Sequence, residues 1–81
     1  MAPVKRTEKQ REIMRHIIDA ARAGAFINTK ELMGLLSYPV SYSAIRVSIQ
    51  FLEKGGMLQR EVVGPHGRTV LVPTEEGFRW F

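Results

Sequence analysis

The sequence predicts an α+β fold: three helices, a small antiparallel sheet and a short C-terminal helix, in a single domain over residues 1–81. Three observations carry this expectation. Apolar residues recur at helical spacing in three segments before residue 55. The period then shifts towards two, through "MLQREVV" and "TVLVP", on either side of "GPHGR" with its two glycines and proline. Finally, Pro73 stops the second of these runs and Thr74 can cap a last turn or short helix, "EEGFRWF".

The first helix begins at about Glu8, because Thr7 can cap it and Gln10 stands three residues on as in a capping box. Ile13, Ile17, Ala20 and Gly24 form one row along it, and Met14, Ile18 and Ala21 form the next, so the two rows make one broad apolar face. Gly24 is its stop signal. Lys9, Arg11, Arg15 and Arg22 fall largely outside those rows and should stay in water. "AFIN" is suited to a small edge strand or a tether. Asn28 and Glu31 then offer a second capping box, opening a short helix through "TKELMGLLS" with Leu32, Leu35 and Leu36 at the spacing of its buried side. Gly34 weakens that helix by about 1 kcal/mol relative to alanine.

Pro39 cannot continue a helical ladder and holds Tyr38 extended, so "SYPV" is a turn. Ser41 can cap a third helix running to about Lys54, which Gly55 and Gly56 end. The strands that follow are joined by a loop of about five residues, longer than the tightest hairpins. A two-stranded hairpin is marginal alone, so it must lie against the helices, with "AFIN" as a third short strand.

A chain of 81 residues and 9.2 kDa has one thin core, so function must sit on its outside. The absence of cysteine excludes disulfide staples, thiolate zinc sites and thiol nucleophiles. Twelve Lys and Arg against eight acidic residues give a net charge of +4 and a pI near 10.0, which favours an anionic partner. No apolar run is long enough to cross a membrane, and "MAPVKRTEK" lacks the apolar centre of a secretory signal, so a cytoplasmic protein is expected. Asp19 is the sole aspartate, the glutamates form no evident pair, and His16 and His66 lie on separate elements. No enzyme, metal, cofactor or small-molecule ligand is expected from such a set.

The third helix carries the most information. At about 100° per residue, Ala44, Ile45, Ser48, Ile49, Phe51 and Leu52 fall on one apolar side, with Val47 at its edge. The remainder is Tyr42, Ser43, Arg46, Gln50, Glu53 and Lys54. That remainder is either a solvated face or a binding face. Its hydrogen-bonding groups cluster towards the helix N-terminus, where free N–H groups favour a phosphate, and the helix follows a shorter one across a turn.

"VSYSAIRVSIQFLEKGGML" resembles the helix-turn-helix of winged helix bacterial transcription regulators, especially the GntR-type form. The residues carrying the likeness are Val40 and Ser41, Ile45 and Arg46, Leu52 and Glu53, then Gly56 and Leu58. "TKELMGLLS" looks like the preceding helix, and "PTEEG" looks like the entry to the last helix of MarR-like and PadR-like proteins. "SYPVS" is longer than the family's usual turn, and Val47 and Phe51 replace residues that are commonly charged there.

The resemblance implies a winged helix-turn-helix that binds double-stranded DNA as a small repressor, with helix 41–54 in the major groove and wing 58–73 on backbone or minor groove. Arg46 is then the candidate base reader, since its fork matches the two acceptors of guanine, and Gln50 could pair with adenine or reach the backbone. Ser41, Tyr42 and Ser43 are candidate phosphate contacts. Lys30 and Arg60 could add others, and Arg68 with His66 sits on the expected exposed tip. Lys5 and Arg6 form either a basic arm or a solubilising tail. Phe78, Trp80 and Phe81 either close the core against the first helix or join two copies in a homodimer. A protein-interaction module anchored on Val47, Phe51 and Trp80 is the competing reading. A phage or plasmid architectural, excision, replication or partition factor would look similar.

Overall fold

The computed structural model describes residues 7–80, apart from the Trp80 side chain. Lys5, Arg6 and Phe81 lie outside the described residues. In chain order the elements are α1 (Glu8–Arg22), α2 (Thr29–Leu35), α3 (Tyr42–Lys54), β1 (Leu58–Val63), β2 (Arg68–Pro73) and α4 (Glu75–Trp80). This is the α+β winged helix arrangement, three helices followed by an antiparallel hairpin and a closing helix.

Each helix starts where its cap dictates. Thr7 Oγ1 accepts from the Gln10 N–H at 3.2 Å, while the Thr7 N–H donates to Gln10 Oε1 at 3.3 Å. Asn28 and Glu31 repeat the exchange at 2.8 and 3.0 Å for α2. Ser41 Oγ accepts from the Ala44 N–H at 3.1 Å at the head of α3. Two helices end in the same way. Gly24 and Gly56 take φ of +75° and +79°, just past the caps of α1 and α3. Their turns close through Ala25 N–H to Ala20 O and Met57 N–H to Leu52 O, both 2.9 Å, as in a Schellman motif.

The core is a single apolar cluster. Ile13, Met14, Ile17 and Ile18 of α1 meet Leu32 of α2, Ile45, Ile49 and Leu52 of α3, and Met57, Leu58 and Leu71 of the hairpin. The hairpin register pairs Leu58 with Pro73, Arg60 with Leu71 and Val62 with Thr69. On β1 only Leu58 is buried and every later residue is exposed, whereas β2 is buried at Val70, Leu71 and Pro73.

Four expectations need correction. "AFIN" is not a strand: Ile27 makes one bridge to Leu71, whose N–H donates to the Ile27 carbonyl at 2.8 Å, and the sheet itself has two strands. Leu35 is half-exposed, because α2 ends there and the chain turns extended at Leu36, which packs against the cluster instead. The buried side of α3 is narrower than periodicity suggested: Ile45, Ile49 and Leu52 are buried, whereas Val47 is 65% and Phe51 48% exposed and Ala44 is exposed. The hairpin turn is Gly64–Gly67, so Arg68 opens β2 and does not sit on the tip.

Two contacts fix the less regular parts. Glu12 of α1 holds the α2–α3 turn: Ser37 donates to its two carboxylate oxygens, from N–H and from Oγ, at 2.6 Å each. His16 Nε2 lies 3.8 Å from the same carboxylate. The Ser37 hydroxyl first, then the Ser37 N–H, hold the Glu12 carboxyl below its ordinary value of 4.5. At the other end, α4 is clasped onto the α3–β1 junction. The Thr74 N–H donates to Met57 O at 3.0 Å, and the Thr74 hydroxyl donates to the Gly56 carbonyl. Gly77 is buried so close to this junction that a Cβ would overlap the Met57 carbonyl oxygen and stand 2.9 Å from Met14 Cε. Arg22 of α1 lies over the Phe78 ring, 5.9 Å from its centroid, which ties α4 to α1.

The glycines give a test of opposite signs. Gly77→Ala must displace backbone and should destabilise by about 1–3 kcal/mol, as overpacking does. Gly34→Ala, in the last turn of α2, meets nothing within 4 Å and should stabilise by up to about 0.5–1 kcal/mol. Urea titrations of the two variants read both. A pH series tests the turn. Because the folded Glu12 pKa is depressed, its contribution is present above 4.5 and is lost as pH falls below that value. The Glu12→Gln variant should lack that component of acid destabilisation.

Candidate nucleic-acid interface

Burial decides which way α3 faces. With Ile45, Ile49 and Leu52 turned into the core, helical geometry turns Tyr42, Ser43, Arg46, Gln50 and Lys54 outward, and all five are exposed. Arg46 and Tyr42, one turn apart, lie together: the guanidinium carbon stands 5.8 Å from the ring centroid, within cation–π range. Ser41 uses its oxygen to cap the helix, which leaves the hydroxyl hydrogen available to a ligand.

Beside this face lies an open cleft of about 450 Å³ lined by Asn28, Thr29, Lys30, Tyr42, Arg46, Ile49, Arg60 and Thr69. Three cations from three elements, Lys30 of α2, Arg46 of α3 and Arg60 of β1, therefore border one depression. Its remaining wall is mostly hydroxyl and amide, with Ile49 as its apolar floor. The three cations are 16 and 14 residues apart along the chain, from 30 to 46 and from 46 to 60, and only the packing of α2, α3 and the wing brings them together.

Two acidic side chains mark the borders of this positive surface. Glu53, at the far end of α3, lies 3.3 Å from the Arg60 guanidinium. Glu31 takes Arg68 on the same carboxylate oxygen that accepts the Asn28 N–H. Both pairs are substantially solvated, so each is worth under about 1 kcal/mol. Glu31 nevertheless orients Arg68 across to α2, away from the turn. His66 is exposed on the Gly64–Gly67 turn, three residues along the chain from Thr69, and does not line the cleft.

Of the residues singled out in the sequence, Lys30, Tyr42, Arg46 and Arg60 line the cleft; Ser41, Ser43 and Gln50 lie on or beside the exposed face of α3; Arg68 and His66 are set apart. Sequence reasoning missed Asn28, Thr29 and Thr69. Thr69 was within reach of a register argument, since it opposes Val62 and so shares a face with Arg60 two residues away. Asn28 and Thr29 were already identified with the start of α2, but nothing local says that this start faces α3. Among the described residues no group of three or more His, Asp or Glu could hold a metal ion. No described helix is long and apolar enough to cross a membrane.

No protein-family model matches this sequence. Over 79 residues, 96% of the chain, it is 34% identical to the heat-inducible transcription repressor HrcA of Thermomicrobium roseum, and it spans 22% of that protein's length. The solved structure of AF1382 from Archaeoglobus fulgidus superposes with a TM-score of 0.75, covering 93% of this chain and 78% of that one at 20% identity. The second similarity establishes a shared fold; the first relates nearly the whole chain to about a fifth of a transcription repressor.

Proposed function

We propose that this chain binds double-stranded DNA in a sequence-dependent way and serves as the DNA-reading part of a transcription repressor. The observation that carries the reading is the cleft shared by Lys30, Arg46 and Arg60 beside the exposed face of α3. Three convergent cations with hydroxyl and amide neighbours suit a phosphate backbone, and an α-helix with an unoccupied polar face suits the major groove. The similarity to a heat-inducible transcription repressor supports the same role, and the GntR-type pattern of the helix agrees with it.

In this reading α3 enters the major groove N-terminus first. Arg46, steadied by the Tyr42 ring, reads a base edge, with guanine as the best match to its fork. Gln50, one turn on, reads adenine or anchors the backbone. Lys30, Arg60 and the hydroxyls of Ser41, Ser43 and Tyr42 take phosphates, and the wing follows the neighbouring backbone or minor groove. Arg68 and His66 contribute from the wing, Arg68 after exchanging Glu31 for a phosphate. In this reading the protein acts as a binder and not as an enzyme, as its similarity to a transcription repressor supports. One module this small covers little DNA, and pairing of two copies on a twofold site would add the missing area.

A protein-interaction module is the second reading, favoured by the exposure of Val47 and Phe51 on α3. Selection of bound duplexes from a random pool separates the two: recovery of a consensus supports DNA reading, and an unenriched pool rejects it. Given that consensus, Arg46→Ala should weaken binding by about 1–3 kcal/mol on the selected site and by less on random duplex. Equal losses on both would remove Arg46 as a reader. Lys30→Ala and Arg60→Ala should instead weaken both duplexes alike and each flatten the salt dependence by about 0.9 in log–log slope.

A further inference from the structure

Val47 is the most exposed large apolar side chain of α3, at 65%, and neither the core nor the helix accounts for it. It contributes nothing to the buried stripe of Ile45, Ile49 and Leu52. A β-branched residue at an exposed helical position is also a poor helix former. Its place on the helix is more informative. Val47 lies about 40° from Ser43 and about 60° from Gln50 around the axis, one turn from each. Two hydrogen-bonding side chains thus flank one branched aliphatic group on the same outward face.

That combination has a specific complement. In the major groove, thymine presents the O4 acceptor beside the C5-methyl group, the one apolar feature of any base edge there; cytosine presents an amino donor and no methyl. The Gln50 side-chain amide, in place of the adenine or backbone contact given above, donates to O4 while the Val47 methyls cover the C5-methyl. A charged residue at position 47 could not do this. From this geometry we infer that Val47 is a specificity-determining residue that selects thymine by its methyl group. The inference rests on the DNA-binding reading above and deepens it by assigning a base to a side chain outside the cationic cleft.

The test deletes the methyl from the DNA instead of altering the fold. In the duplex recovered from the random pool, each thymine is replaced in turn by deoxyuridine, and binding is measured with the unaltered protein and with Val47→Ala. At one position per half-site the unaltered protein should bind the uracil duplex about fourfold more weakly, the loss expected for one unburied methyl. Val47→Ala should bind the thymine and uracil forms of that duplex equally, and restoring the methyl with thymine should not improve it. Either of two results of the uracil series overturns the inference while leaving DNA binding intact: no uracil substitution weakens the unaltered protein, or Val47→Ala keeps the full uracil penalty. If Val47→Ala leaves every affinity unchanged but alters the sedimentation coefficient, the side chain belongs to a protein contact and the inference is again wrong. Circular dichroism of the variant checks the fold, and because Val47 is exposed no loss of structure is expected. A pool that yields no bound duplex removes the parent reading, and a consensus without thymine removes this inference alone.

Discussion

Burial of three side chains on one helix, Ile45, Ile49 and Leu52, sets the geometry on which everything else depends. These residues share one cluster with the buried residues of α1, and α3 packs against α2 and β1, so they determine both the depth and the rotation of α3. Rotation matters most. A turn of α3 by one residue's worth would carry Arg46 out of the cleft and bring a different set of side chains to the surface. The clustered aliphatic core is close-packed and resists such a change, because each of its members would lose contact area. The reading face is thus specified indirectly, by what the helix hides.

The polar contacts act on the same object from outside. Glu12 anchors the turn ahead of α3 through two hydrogen bonds from Ser37. The Thr74 and Gly77 clasp anchors the chain just after α3, at Gly56 and Met57. Between them, the helix is held at both ends by elements remote in sequence, while its cap and its Schellman turn satisfy its own backbone. The two wing arginines are drawn towards carboxylates on α2 and α3, and this defines where the positive surface stops.

How much of this could be read from the sequence follows from the range of the interactions. Caps act over three residues, so Thr7 with Gln10, Asn28 with Glu31, and Ser41 placed all three helix starts. The glycines at 24 and 56 placed two ends, because left-handed backbone is a local demand. Periodicity found the buried rows of α1 but overstated those of α2 and α3. Leu35 and Phe51 fit an apolar face by angle, yet whether a neighbour covers that angle is a tertiary matter. Lys30, Arg46 and Arg60 were each recognised as candidates, but their convergence depended on how α2 and the wing flank α3. The bonds from Glu12 to Ser37, 25 residues apart, left no signal in either segment. Arg68 shows the reverse error: its loop position was inferred from glycine spacing, and strand pairing one residue earlier placed it on β2.

The hairpin is rooted at one end only. Leu58, Val70 and Leu71 are buried, and Ile27 grips the outer edge of β2 at Leu71, but every residue from Val62 to Thr69 is exposed. It is a cantilever, clamped at the base and free at the tip. Bending the far half strains only its own ladder of bonds and the solvated Arg68–Glu31 pair, so the Gly64–Gly67 end can settle against surfaces of differing curvature while the side chains bordering the clamp keep their positions.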